Sequence, residues 1–111
     1  MNTKDEQLIY WINKHFNELQ DVLKDLKSYD EFINPSNLIR VKAIKLDLFQ
    51  IGENVNNLTI EIKNKTSKKD LRGIIDIRNY IAHGYVQVDE SIIWDVINND
   101  LPNLIKSLNS L

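Results

Sequence analysis

Four side chains around residue 80 carry the functional groups that phosphate chemistry needs. Arg78, Asn79, His83 and Tyr85 occur in one segment, Arg78-Asn79-Tyr80-Ile81-Ala82-His83-Gly84-Tyr85. Histidine exchanges protons near neutral pH, and a guanidinium stabilises negative charge on a phosphoryl group. In RNA the neighbouring 2′-hydroxyl is itself a nucleophile, so a protein needs only to move protons and stabilise the phosphorane. A histidine and an arginine are sufficient for such metal-free chemistry.

The spacing of these residues also admits a purely structural explanation. Arg78 and His83 are five residues apart, so an ideal helix separates them by about 7.5 Å of rise and about 140° of rotation. One helix therefore does not direct both side chains at one atom, although a pocket shared between subunits could bring such groups together. An ion-paired arginine and a histidine near a helix C-terminus account for the same spacing. Tyr85 alone is typical of a packing tyrosine that covers a helix end.

Several other classes of site are excluded or disfavoured. The chain has no cysteine, which excludes disulfides, a thiolate nucleophile and cysteine-based zinc sites. Its second histidine, His15, lies among apolar positions and is interpreted as a packed or interface residue. A single histidine per region with scattered acids argues against a metal centre. No glycine-rich loop precedes a helix, so a nucleotide phosphate loop is not expected. We therefore predict neither a metal nor a cofactor.

Composition limits the class of protein. A chain of 111 residues with 42% hydrophobic and 27% charged residues is typical of one globular domain, here taken as residues 1–111. No apolar run approaches the roughly 18 residues of a membrane helix. The N-terminal segment also lacks a basic-then-apolar signal pattern. We expect a soluble, cytoplasmic protein.

Charge is unevenly distributed along the chain. The formal net charge of -2 disfavours a general nucleic-acid coat protein. Residues 61–85 nevertheless contain six Lys or Arg against three Asp or Glu, a local +3, whereas residues 86–111 contain one against four, a local -3. An anionic ligand is expected at the first region and a protein surface at the second.

The periodicity of apolar residues predicts four amphipathic helices and an all-α, antiparallel four-helix bundle. The first runs from Thr3, in a capping box with Glu6, to about Ser28. The second starts at Asn34-Pro35 and continues to Ile62, with Gly52 on its apolar stripe predicting a close helix crossing. The third is capped by Ser67 or Thr66 and ended by Gly84. After an extended link over 85–88, the fourth starts at Asp89, with a kink near 98–101 because of Pro102.

The segment from Arg78 to Tyr85 resembles a known family. Arg-x-x-x-x-His is the motif of HEPN domains, and the added tyrosine makes Arg-x-x-x-x-His-x-Tyr, which looks like the HepT toxin branch. Ile51-Gly52-Glu53 is similar to that branch's Ile-Gly-Glu segment. The stretch from Val88 to Pro102, with its Asp-Leu-Pro ending, resembles its C-terminal helix. The similarity extends in order from Leu8 to Leu108.

The resemblance implies a function and partners. HepT-like proteins are metal-independent ribonuclease toxins that form homodimers, and their two motifs meet at the dimer interface. Arg78 and His83 would then be catalytic and Asn79 supporting. Their partner is a small MntA-like nucleotidyltransferase antitoxin that adds AMP to the motif tyrosine, which here would be Tyr85. RNA would be the substrate.

Two further hypotheses remain at this stage. The chain could be a catalytically silent helical binding partner of a nucleotidyltransferase, which suits its acidic total charge. It could also be a plain structural dimer, but that hypothesis leaves Arg78 unexplained on an apolar stripe. The intact set of Arg78, Asn79, His83 and Tyr85 favours the ribonuclease.

Overall fold

The N-terminal helix α1 spans Thr3–Leu23. The computed structural model describes residues 1–83 and 89–111 of the chain. The cap of α1 is Asn2, whose Oδ1 accepts the backbone N–H of Asp5 at 2.7 Å, so the prediction that Thr3 is the cap is wrong by one residue. The helix also ends earlier than the predicted Ser28. Residues 24–26 form tight turns, in which the backbone N–H of Leu26 donates to the carbonyl of Leu23 at 2.8 Å.

The second predicted helix is divided into shorter elements. Helix α2 spans Tyr29–Ile33, a 3₁₀ turn spans Pro35–Asn37, α3 spans Leu38–Asn56 and α4 spans Ile60–Lys63. Asn34 caps the 3₁₀ turn, as the Asn-Pro pair suggests. The predicted continuation to Ile62 is wrong because Thr59 is extended, with φ -64° and ψ 155°, and its side chain caps α4. An N-cap residue in this conformation starts a new helix rather than continuing the old one.

Helix α5 spans Lys68–Ala82 and carries the candidate motif. Ser67 caps it by accepting the backbone N–H of Asp70, as predicted. Its core-facing positions are Leu71, Ile74 and Ile77. His83 is the C-terminal cap residue. The predicted terminator Gly84 and the predicted link over 85–88 lie outside the described residues.

The C-terminal segment is interrupted where the sequence predicts a kink. Helix α6 spans Glu90–Asp95, a π-helical turn spans Val96–Asp100, and α7 spans Leu101–Asn109. Asp89 caps α6 by accepting the backbone N–H of Ser91 at 2.9 Å, as expected. The N–H of Leu101 reaches back five residues to the carbonyl of Val96. Pro102 lies in the first turn of α7, where proline is tolerated.

The described residues form an all-α protein without strands, as predicted. Helix α1 packs against α3, α3 against α5, and α5 against the π turn and α7. Helices α1 and α3 run antiparallel, because Asp5 contacts Thr59 at one end while His15 contacts Asp47 further along. The shared core is aliphatic apart from Phe32, and its most completely buried members include Ile12, Ile44, Ile51, Ile93 and Leu104.

Some large apolar side chains lie outside this core. Trp11, which the periodicity places on the buried stripe, is 47% exposed and lies beside the exposed Tyr10. Ile39 and Leu46 on α3 are also exposed. In the described part of the chain, no helix has the length and apolar character needed to cross a membrane.

Candidate functional site

The guanidinium of Arg78 is held by groups from two helices. Its Nε and Nη2 both contact Oε1 of Glu53 on α3, and its Nη1 donates to Oδ1 of Asn79 at 2.9 Å. The Phe49 ring lies against the guanidinium, with 5.3 Å from Cζ to the ring centroid, which is cation–π range. The side chains of Arg78 and Glu53 are 27% and 34% exposed, so the pair is accessible from solvent.

Gly52 allows the stem of Arg78 to lie against α3. A Cβ placed on Gly52 would be 2.4 Å from Cβ and 2.8 Å from Cγ of Arg78. Both distances are shorter than real carbon–carbon contacts, so only glycine permits this approach of α3 to α5. The predicted close helix crossing at Gly52 is thereby confirmed, and its counterpart is Arg78. Glycine inside a helix is less favourable than alanine by about 1 kcal/mol, and here it occurs where the Arg78 side chain packs against α3.

The structure places the other predicted site residues at the end of the same helix. His83 is exposed and caps α5, and its backbone N–H donates to the carbonyl of Asn79 at 3.0 Å. Asn79 is therefore linked to Arg78 through its side chain and to His83 through its backbone. Tyr85, the predicted modification site, lies outside the described residues.

Glu53 and Phe49 are members of this site that the sequence analysis did not predict as site residues. Glu53 stands 25 residues before Arg78, and residue spacing alone does not identify such a partner. The ion pair satisfies the requirement that a partly buried arginine on an apolar stripe be paired. A useful signal was present, since Glu53 directly follows the glycine that marks the helix crossing.

A second group of titratable side chains joins α1 to α3. His15 Nδ1 lies 3.3 Å from Asp47 Oδ1 and 3.7 Å from Glu18 Oε2, and ligand atoms of all three lie within 4.8 Å of one another. Burial raises the pKa of Asp47, the hydrogen bond with His15 opposes that rise, and the nearby Glu18 adds to it. The expectation of scattered acids without a histidine cluster is wrong here, because helix packing rather than chain spacing assembles the group. His15 lies at a helix–helix contact, in keeping with its interpretation as a packed residue.

Two buried carboxylates have structural roles. Asp5 accepts the backbone N–H of Thr59 at 3.0 Å and its hydroxyl at 2.7 Å, which ties the start of α1 to the cap of α4. Burial raises the pKa of Asp5, but the hydrogen bonds from Thr59 outweigh it and the net pKa is lowered. Asp100 lies against Gly73 and pairs with Lys69 at 3.1 Å, and this contact raises the pKa of Lys69.

Comparisons with known proteins point in one direction. The family model described as ribonuclease HepT-like matches residues 12–111. "Putative RNase MJ0127" from Methanocaldococcus jannaschii is 30% identical over 103 residues, which cover 93% of this chain and 83% of the relative. "Putative RNase TTE0752" from Caldanaerobacter subterraneus subsp. tengcongensis is 32% identical over 76% of this chain and 73% of the relative. "Putative RNase MJ1380" from M. jannaschii is 27% identical over 97% of both chains. No solved structure gave a significant match.

Proposed function

The chain belongs to the ribonuclease HepT-like family, and from this premise we propose that it is a metal-independent endoribonuclease whose catalytic residues are Arg78 and His83. The observation that carries the proposal is the arrangement on α5. Arg78 is fixed by two neighbouring groups but remains 27% exposed, while the exposed His83 lies at the C-terminal end of the same helix. A fixed cation and an accessible proton carrier are the two groups that RNA cleavage without a metal requires.

The proposed reaction uses the substrate's own nucleophile. The 2′-hydroxyl loses its proton to a base and attacks the adjacent phosphorus, and the bond from phosphorus to the 5′-oxygen breaks. The products are a 2′,3′-cyclic phosphate and a 5′-hydroxyl, after the leaving oxygen has received a proton. His83 serves as general acid/base, Arg78 stabilises the charge of the phosphorane, and Asn79 supports Arg78 through the hydrogen bond that its side chain accepts.

We further propose that the fold is the four-helix HEPN bundle and that the active unit is a homodimer. Arg78 and His83 diverge on α5, so a second copy would complete a composite site at the interface. The exposed apolar side chains on α1 and α3 support an association surface, since Tyr10, Trp11, Ile39 and Leu46 are between 47% and 84% exposed. Symmetric dimers are the commonest way in which such surfaces are covered.

We also propose that the protein is the toxin of a toxin–antitoxin pair and that an MntA-like nucleotidyltransferase controls it through Tyr85. The hydroxyl of Tyr85 would attack the α-phosphorus of ATP and release pyrophosphate, leaving AMP on the tyrosine two residues after His83. The added phosphate would compete with RNA for Arg78. Co-expression with the nucleotidyltransferase and peptide mass mapping tests this step. Tyr85→Phe should remain toxic, whereas neutralisation without added mass on Tyr85 would show inhibition by binding alone.

The decisive experiment is RNA cleavage in EDTA by wild type, Arg78→Ala and His83→Ala. Wild type should cleave and leave cyclic phosphate ends, and each variant should lose about 100-fold or more of the activity. Activity that is abolished by chelation and restored by Mg²⁺ would contradict the mechanism. Absence of cleavage by folded wild type would instead favour the alternative of a catalytically silent partner of the nucleotidyltransferase, and unchanged cleavage by His83→Ala would show that His83 is not catalytic.

A further inference from the structure

We infer that Glu53 is a positioning residue of the site: its carboxylate fixes the direction in which the Arg78 guanidinium presents its remaining N–H groups to an RNA phosphate. This inference rests on the proposed ribonuclease activity. Glu53 lies on α3 and Arg78 on α5, so the contact joins two packed helices rather than neighbours on one helix. The orientation of the arginine is consequently tied to the helix packing.

The hydrogen bonds of Arg78 show how its orientation is set. A guanidinium has five N–H groups in a rigid plane. Glu53 Oε1 contacts Nε and Nη2, and Asn79 Oδ1 accepts one N–H from Nη1. Within residues 1–83 and 89–111, these two side chains are the acceptors that engage the group, which leaves two N–H groups for a ligand. These remaining groups, one on Nη1 and one on Nη2, can donate to phosphate oxygens.

Contacts on the other sides of the arginine restrict its remaining movement. The Phe49 ring covers the guanidinium at 5.3 Å from Cζ, and the absence of a side chain on Gly52 lets Cβ and Cγ of Arg78 lie against α3. Phe49, Gly52 and Glu53 belong to one turn of α3. An arginine without these contacts would sample several rotamers, and few of them would direct its N–H groups at a bound phosphate.

Loss of the carboxylate should therefore lower kcat more than it alters KM. We compare wild type with Glu53→Gln, which keeps the size and an acceptor oxygen but removes the charge, and with Glu53→Asp. Glu61→Gln is the matched control, because Glu61 is an exposed carboxylate on α4 and its replacement changes the net charge equally. We expect Glu53→Gln to lose about tenfold or more in kcat with KM changed less than about threefold. Glu53→Asp should recover part of the loss, and Glu61→Gln should match wild type.

Two readouts separate positioning from a direct chemical role of Glu53. The pH dependence of cleavage should keep its shape in Glu53→Gln, because His83 remains the proton carrier; loss of one limb would make Glu53 itself the base and overturn the inference. In an Arg78→Lys background, Glu53→Gln should cause little further loss, because the planar fork that it orients is already gone. Full additivity of the two losses would also overturn it.

The inference and the proposed function fail in distinguishable ways. If wild type and His83→Ala both leave RNA intact, the ribonuclease proposal fails. If wild type cleaves, Arg78→Ala and His83→Ala do not, and Glu53→Gln retains wild-type kcat, only the role of Glu53 fails. A lower KM with unchanged kcat in Glu53→Gln would likewise refute positioning, since the carboxylate would then merely compete with the RNA phosphate for Arg78. Circular dichroism and light scattering of each variant confirm an unchanged fold and assembly.

Discussion

Replacing Gly52 with alanine should damage both stability and cleavage. The added Cβ would lie 2.4 Å from Cβ of Arg78, whereas ordinary contacts begin at 3.4 Å, so the two groups must separate by about 1 Å. Because Cβ and Cγ of Arg78 are next to its backbone, rotation of the distal side chain cannot relieve the clash. Helix α5 or the whole arginine side chain must move.

The magnitude follows from two opposing effects. Overpacking costs about 1–3 kcal/mol, while alanine returns about 1 kcal/mol of helix propensity relative to glycine. Because the clash at 2.4 Å is between atoms next to the two backbones, we place its cost in the upper part of that range, about 2–3 kcal/mol, and expect a net loss of about 1–2 kcal/mol in the free energy of unfolding. Because 1 kcal/mol corresponds to about 4–8 °C in a domain of this size, the midpoint of thermal unfolding should fall measurably. A displacement of about 1 Å at Arg78 should reduce kcat by about 10- to 100-fold in protein that remains folded.

Gly73→Ala provides the matched control on the facing helix. A Cβ on residue 73 would lie 2.0 Å from Oδ2 and 3.0 Å from Cγ of Asp100. Both of these atoms are toward the free end of the Asp100 side chain. Rotation of Asp100 can relieve this clash at the expense of its contact with Lys69. Gly73→Ala should therefore lose stability but retain cleavage per folded molecule within about threefold. Thermal unfolding by circular dichroism and initial cleavage rates below the unfolding transition give both quantities. Wild-type stability and kcat in Gly52→Ala would refute the reasoning.

Three other measurements test the buried carboxylates and the assembly. The pKa of Asp47 is raised, so the folded chain binds the proton of this carboxyl more tightly than the unfolded chain does. The free energy of unfolding should therefore fall as the pH rises from 3.8 through the pKa of folded Asp47. Asp47→Asn should flatten this part of the curve of thermal midpoint against pH. The pKa of Asp5 is lowered, so the ionised carboxylate stabilises the fold above pH 3.8, and this stabilisation is lost as the pH falls through the pKa of folded Asp5. Asp5→Asn should be less stable than wild type at pH 7 and should approach the stability of wild type in strong acid. Light scattering at micromolar concentration should give twice the 13.0 kDa of one chain, and 13.0 kDa up to millimolar concentration would contradict the dimer.

Local patterns in the sequence predict the longer helices and some of their caps. Ser67 and Asp89 cap α5 and α6 as expected, because capping depends on residues within one turn. The sequence does not predict the break after α3. Thr59 adopts its extended conformation while hydrogen-bonded to Asp5, which is 54 residues away. Such a tertiary contact overrides the apolar periodicity, which continues to Ile62 in the sequence.

In the candidate site, too, local sequence features were predictable and contacts between distant residues were not. Arg78 and His83 are recognisable because they share one short motif, and Gly52 signals a close crossing because glycine is costly inside a helix. The identity of the crossing partner depends on how α3 and α5 align, and side-chain periodicity within each helix leaves that register open. Glu53 as the partner of Arg78, and Asp47 as the partner of His15, therefore emerge only from the folded chain.

The π-helical turn at Val96–Asp100 compensates for a difference between two periods, the spacing of buried residues in the sequence and the rotation of an α-helix. Buried residues of the C-terminal segment recur every four positions, in the two rows Ile93, Ile97, Leu101, Ile105 and Val96, Asp100, Leu104, Leu108. Over twelve residues an α-helix turns about 1,200°, which is three turns and a further 120°, so a stride of four would carry each row away from the core. A π-helical turn is wider and rotates less per residue, so it reduces the rotation that carries these rows away from the core. The four-residue spacing of the buried residues thus favours the π-helical turn. Pro102 is compatible with this turn, because proline has no N–H that could restore α-helical hydrogen bonding.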